Sequence, residues 1–181
     1  MHYTKILALA LLIGCAHGKI EHVGQPLEKG VITKDTTIYV ESISAKNADF
    51  SGDKSAEIQK TGAAKQEIEF AFHKKIVDAL KKLGYKAVAV DTPKKDGIAI
   101  TGKVSKVENG SAAARFFVGM GAGSANMYTN FTILDRKTAK TLSSFEVIAT
   151  SGGESKMGSY MEKHIADGAS KVAEFIDTSS K

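Results

Sequence analysis

The chain has 181 residues, of which 43% are hydrophobic, 25% charged and 7% aromatic, with no Trp, two Pro and one Cys. This suits one globular domain with an aliphatic core and excludes a disordered stalk or a disulfide framework, since a lone cysteine cannot pair within its own chain. The net charge of +5 is modest, and the pairs Lys74-Lys75, Lys81-Lys82 and Lys94-Lys95 are interleaved with Asp78 and Asp96 rather than with aromatics, so no nucleic-acid partner is expected.

Residues 6–15 read ILALALLIGC. The run Ile6 to Gly14 falls well short of the ~20 apolar residues that span a bilayer, and it ends directly before Cys15. It resembles the lipobox of bacterial lipoproteins: an export signal followed by a small residue that lets a peptidase reach the bond before cysteine. The resemblance implies that residues 1–14 are a cleaved signal peptide. It also implies lipidation at Cys15, through a diacylglyceryl group on the thiol and an acyl chain on the new amino terminus. At ~0.8 kcal/mol per buried methylene, several chains hold a domain on a membrane. Ala16, rather than Asp, after that cysteine implies the outer membrane, facing the periplasm. A lipidated Cys15 is unavailable for thiol or metal chemistry.

Residues 15–35, with Gly18, Gly24, Pro26 and Gly30 and no periodicity, are expected to be the lipidated cysteine and a loose tether. A single globular domain is expected over 36–178. Its first strand is Thr36 to Val40, followed by a polar loop from Ser42 to Gly62. Apolar residues at Ile68, Phe72, Ile76, Ala79, Leu80 and Leu83 predict an amphipathic helix from Ala63 to Leu83, stopped by Gly84. Strands follow at Tyr85 to Val90, at Ile98 to Val104, at Ala125 to Ile133 and through Phe145, Val147 and Ala149, with a turn from Asp135 to Lys140. A last helix is expected from Met157 to Ile176. The order β-α-β-β-β-β-α predicts an α+β two-layer sandwich, its mixed, mostly antiparallel sheet of about five strands carrying two helices on one face. The first crossover is expected to be parallel and right-handed, and the later strands to pair as hairpins.

One segment stands apart. Between Arg115 and Asn126 the chain carries no charge, and it holds Phe116, Phe117 and glycines at 119, 121 and 123. Glycines at one-face spacing mark a close approach to backbone, either by a helix of the same domain, which makes this a structural glycine strand or hinge, or by a second protein, a lipid or another copy; on the latter reading Arg115, Phe116, Phe117, Gly119, Gly121 and Gly123 are the candidate interaction segment. A dinucleotide fingerprint fails because Ser124 stands where its third glycine belongs, and no phosphate loop occurs elsewhere, so no cofactor is expected.

The lipobox, the mid-chain helix, the spacing Arg115-x-x-x-Gly119-x-Gly121-x-Gly123 and the turn Asp135-Arg136-Lys137-Thr138-Ala139-Lys140 resemble the uncharacterised bacterial envelope lipoproteins catalogued as a domain of unknown function, DUF4410-like. The resemblance implies location and fold rather than a reaction. Its turn usually reads Asp-x-x-Thr-Gly-Lys, and this chain departs from it at Ala139.

Catalytic patterns are sparse. His73 and His164 lie on helices without a second ligand at i+4, so no metal is expected. Ser151-Gly152-Gly153-Glu154 lacks a nucleophile elbow, nothing in the sequence orders a histidine beside Ser151, and the stretch reads as a strand-to-helix connection. The pairs Glu67/Glu69 and Asp49/Asp53 read as solvated acids. The expected function is therefore non-enzymatic: a lipid-anchored, periplasm-facing module that binds envelope proteins or further copies of itself. A small-molecule or lipid carrier would need an apolar pocket between sheet and helices. A hydrolase would need Ser, His and an acid within hydrogen-bond reach.

Overall fold

In the computed structural model, residues 18–52, 62–110, 124–151 and 157–181 are described. The elements are β1 (Gly18–Gln25), β2 (Thr37–Ser44), β3 (Asp49–Ser51), α1 (Ala63–Lys82), β4 (Lys86–Val90), β5 (Ile98–Glu108), β6 (Ala125–Asp135), β7 (Lys140–Ser151) and α2 (Met157–Ser179). All seven strands form one sheet in the order β1-β7-β6-β5-β2-β4, with β3 also paired to β5. The class is α+β as expected, but the sheet has seven strands rather than about five. Nor is it mostly antiparallel: β1·β7, β7·β6 and β6·β5 are antiparallel, whereas β5·β2, β2·β4 and β3·β5 are parallel.

The two extra strands come from stretches expected to be tether and loop. Residues 18–25 pair with β7, Gly18 opposite Ala149 and Gln25 opposite Ser144, and Ile20 packs on the core. Beyond them Leu27 and Ile32 are themselves buried. Glycine and proline weaken the local signal here, but an exposed edge of β7 and an uncovered core margin supply the pairing partner that the sequence cannot display. In β3, the buried Phe50 anchors a strand that continues along β5 where β2 leaves it.

The expected β4–β5 hairpin is absent as well, because β2 lies between the two and is parallel to both. Val90 stands level with Glu41 and Ile98 level with Ile38, so residues 91–97 must double back along β2 before β5 begins. Gly97 makes this possible at φ 82: a methyl there would stand 2.8 Å from Tyr39 Cε2. The parallel β2-α1-β4 crossover does form, and α1 ends as its sequence asks. Gly84 at φ 85 lets its N–H donate to Lys81 O at 2.9 Å while Tyr85 N–H donates to Leu80 O at 3.1 Å, a Schellman closure.

Both helices cover one sheet face, as a chain of rings demonstrates. Phe72 of α1 meets Phe131 of β6 edge-on at 5.7 Å, Phe131 stacks on Phe145 of β7 at 5.6 Å, and Phe145 stacks on Phe175 of α2 at 4.0 Å. Such pairs add about 0.5–1.5 kcal/mol each beyond their buried area. Small residues make room for the rings: Gly102 of β5 lies under Phe131, and Gly168 of α2 faces Phe72. Among the described residues no helix is long and apolar enough to cross a membrane.

Candidate functional site

Cys15 and the segment Arg115, Phe116, Phe117, Gly119, Gly121 and Gly123 lie outside the described residues. Their points of attachment do not. The register sets Gly18 opposite Ala149, Ser151 opposite Ala125, and Glu108 opposite Asn126. The start of β1, the end of β5, the start of β6 and the end of β7 therefore share one end of the sheet. We call this the proximal end, because the chain enters the fold there.

At the proximal end the structure brings together two residues that the sequence left unconnected. Ser151 Oγ closes β7 and lies 3.4 Å from His164 Nε2 on α2, both residues being 1% exposed. The expectation that no histidine accompanies Ser151 is thus corrected. The two come from different elements, and only the seating of α2 on the sheet unites them. Burial pushes the His164 imidazole down to about 4, with Lys163 adding to the shift, so the ring is neutral at pH 7. In a hydrolytic triad the ring's other nitrogen donates to an orienting acid. His164 Nδ1 has no hydrogen-bond partner among the described residues, so serine and histidine stand here without that acid.

His73 on α1 is also buried, with Nε2 3.5 Å from the exposed Asp91. Burial lowers its pKa and Asp91 partly restores it. Among the described residues no group of three or more His, Cys, Asp or Glu side chains is placed to hold a metal ion. On the sheet's outer face Glu108 accepts from Tyr128 Oη at 2.9 Å and Asn126 Nδ2 at 3.1 Å and pairs with Lys106 at 2.6 Å. The Lys106 hydrogen bond holds the Glu108 carboxyl below its ordinary pKa. These groups satisfy one another and leave no evident reactive atom.

The opposite, distal end carries the C-termini of both helices. Asp177 accepts from Lys34 at 2.7 Å and Tyr85 Oη at 3.2 Å and pairs with Lys181 at 2.7 Å. The Lys181 and Lys34 hydrogen bonds pull its pKa down to about 2. Lys34 also donates to Leu83 O at 2.7 Å, tying the segment before β2 to the end of α1. Between the distal halves of α1 and α2 lies a cavity of about 440 Å³, floored by Ala79, Ala166, Ala169 and Ala173 and edged by Lys75, Lys82, Glu174 and Asp177. It opens between the helices rather than between helices and sheet, where a carrier would need its pocket.

No curated protein matches the sequence. Among solved structures, a variant of the PelC dodecamer from Paraburkholderia phytofirmans shares 11% identity and a TM-score of 0.52, over 86% of this chain and 97% of that one. Protein XCC0632 from Xanthomonas campestris gives 10%, 0.46, 84% and 89% for the same measures. Lipoprotein GNA1162 from Neisseria meningitidis gives 9%, 0.34, 77% and 99%. At such identities only the PelC likeness speaks, and it speaks of fold alone. A family match covers residues 31–153, from the buried segment before β2 to just past Ser151, and takes in the Asp135 turn. The chain belongs to the family described as Domain of unknown function (DUF4410).

Proposed function

We propose that the protein is a lipid-anchored module of the bacterial envelope, facing the periplasm at the outer membrane. It works without catalysis, by binding protein partners and further copies of itself. The observation that carries the reading is the closeness of Cys15 to the fold: β1 begins at Gly18, three residues later. Three residues reach at most ~11 Å, so a lipidated Cys15 holds the proximal end of the sheet directly against the headgroups. Gly110 and Ser124, the described residues that flank the glycine-rich segment, lie at that same end, which supports the reading of Phe116 and Phe117 as contact residues. The similarly folded PelC is a dodecamer, which supports self-association as the mode of action.

Two measurements test this. Cys15→Ser should move the protein from the membrane fraction to the soluble one, and a chain that still sediments with membranes refutes the anchor. Crosslinking and affinity capture from native membranes should lose partners when Phe116 and Phe117 are both changed to Ala. An unchanged set of partners removes that segment from the contact surface.

A further inference from the structure

The cavity between α1 and α2 is lined on its floor by alanines, and side chains that small let two helices close to contact. Here the helices stay apart. Lys34 reaches between their distal ends, donating at 2.7 Å both to Leu83 O at the end of α1 and to Asp177 of α2, with its ammonium 3.5 Å from the centre of the Tyr85 ring. That bridge sets the spacing, and the opening of about 440 Å³ has the size of a small-molecule site. The charges around it are uneven. On the α2 side Asp177 is held by Lys34, Lys181 and Tyr85, and Glu174 by Lys171, so both carboxylates are already satisfied. On the α1 side, among the described residues, neither Lys75 nor Lys82 is paired with a carboxylate, and the single acid between them, Asp78, leaves that rim one charge positive. Leu83, at the distal lip, is 41% exposed.

We infer that this trough binds a single acyl chain that ends in an anionic headgroup. The alanine floor and Leu83 take the chain, which gains by leaving water, and the unpaired lysines of the α1 rim take the head. Lys75 and Lys82 stand two turns apart, ~10 Å along α1, so the head can engage one end of the rim while the chain lies along the floor. A neutral chain would leave the lysines without a counter-charge, and a bare anion would leave the floor uncovered. Because the α2 carboxylates are held by their own lysines, they do not compete for the α1 rim. The site is an open trough on the helix layer, unlike the enclosed space between sheet and helices that a carrier would use, and it does not depend on lipidation at Cys15.

The test is photolabelling of the full-length protein in phosphatidylcholine nanodiscs with dodecanoate that carries a diazirine on its chain. Mass spectrometry should place the label on residues 75–83 and 166–178. Excess dodecanoate or dodecyl phosphate should displace it, and dodecanol at the same concentration should not; whichever anion displaces it at lower concentration names the headgroup. Lys75→Gln combined with Lys82→Gln should reduce labelling at least ~5-fold by removing both counter-charges. Ser170→Phe, which keeps the lysines but fills the trough from its exposed α2 side, should also lose it. Thermal midpoints near that of the unaltered chain show that both variants fold, and the competition experiments decide the matter on the unaltered chain alone. Label confined to other residues, label that dodecanoate does not displace, displacement by dodecanol as effective as by dodecanoate, or a folded variant labelled like its parent overturns the site.

Discussion

Ala139 offers a direct measurement of backbone strain. It closes the β6–β7 turn at φ 55, the positive-φ residue among the described non-glycines. Asp135 Oδ1 fixes the turn by accepting from Lys137 N–H at 2.9 Å and Thr138 N–H at 3.3 Å, and Arg136 N–H donates to Gly97 O at 2.9 Å. The backbone around Ala139 therefore cannot relax toward negative φ without breaking these bonds. Left-handed geometry costs an L-residue ~1–2 kcal/mol, while glycine loses ~0.5–1 kcal/mol more conformational entropy on folding than alanine. Ala139→Gly should thus stabilise the protein by ~0.5–1 kcal/mol, or ~1–4 °C in Tm for a chain of this size. Circular dichroism melts of the purified variant and parent, side by side, provide the assay. A midpoint that is unchanged or lowered would refute the strain argument and show that the turn tolerates alanine at no cost.

The other predictions concern buried groups. Acid should unfold the protein in a window set by His164. The unfolded imidazole takes a proton near pH 6.5, whereas the folded one resists until about pH 4. The stability it contributes is therefore complete above pH 6.5 and is lost as pH falls toward 4. Its full size is ~3 kcal/mol at 1.36 kcal/mol per pH unit. Urea midpoints from pH 7.5 to 4.5 should fall less steeply for His164→Gln, and parallel slopes would exclude His164 as the cause. Glu41 is 7% exposed and pairs with Arg136, whose Nε donates to its Oε1 at 2.8 Å. Arg136→Ala should cost ~3 kcal/mol by leaving that carboxylate buried and unpaired, and adding Glu41→Gln should recover part of the loss in urea titrations. A methyl at Gly168 would stand 2.9 Å from Phe72 Cζ, and Phe131 limits how far that ring can retreat. Gly168→Ala should therefore lose ~1 kcal/mol net, overpacking outweighing the gain in helix propensity. Phe72→Leu in the same chain should reduce that penalty, and independent additive costs would argue against the contact.

Much of the fold is local and was legible in the sequence. The α1 boundaries follow from apolar residues at three and four and from Gly84, and β6 and β7 follow from alternation around the Asp135 turn, because each signal acts within a few residues. α2 likewise begins at Met157 as expected and runs three residues past Ile176. The candidate site was less legible. The serine and the histidine could each be seen, but not their meeting, since 3.4 Å between residues on two elements depends on how α2 settles across the sheet.

By itself the sequence determined the α+β class, the two amphipathic helices and the family resemblance, all of which depend on periodicity or on short motifs at fixed spacing. Tertiary structure alone decided that residues 18–25 are an edge strand rather than a tether, that β2 separates β4 from β5, and that Ser151 meets His164. Strand pairing satisfies backbone groups whatever the side chains are. A glycine-bearing stretch will therefore join a sheet when an open edge is near, and only the assembled fold shows where that edge lies.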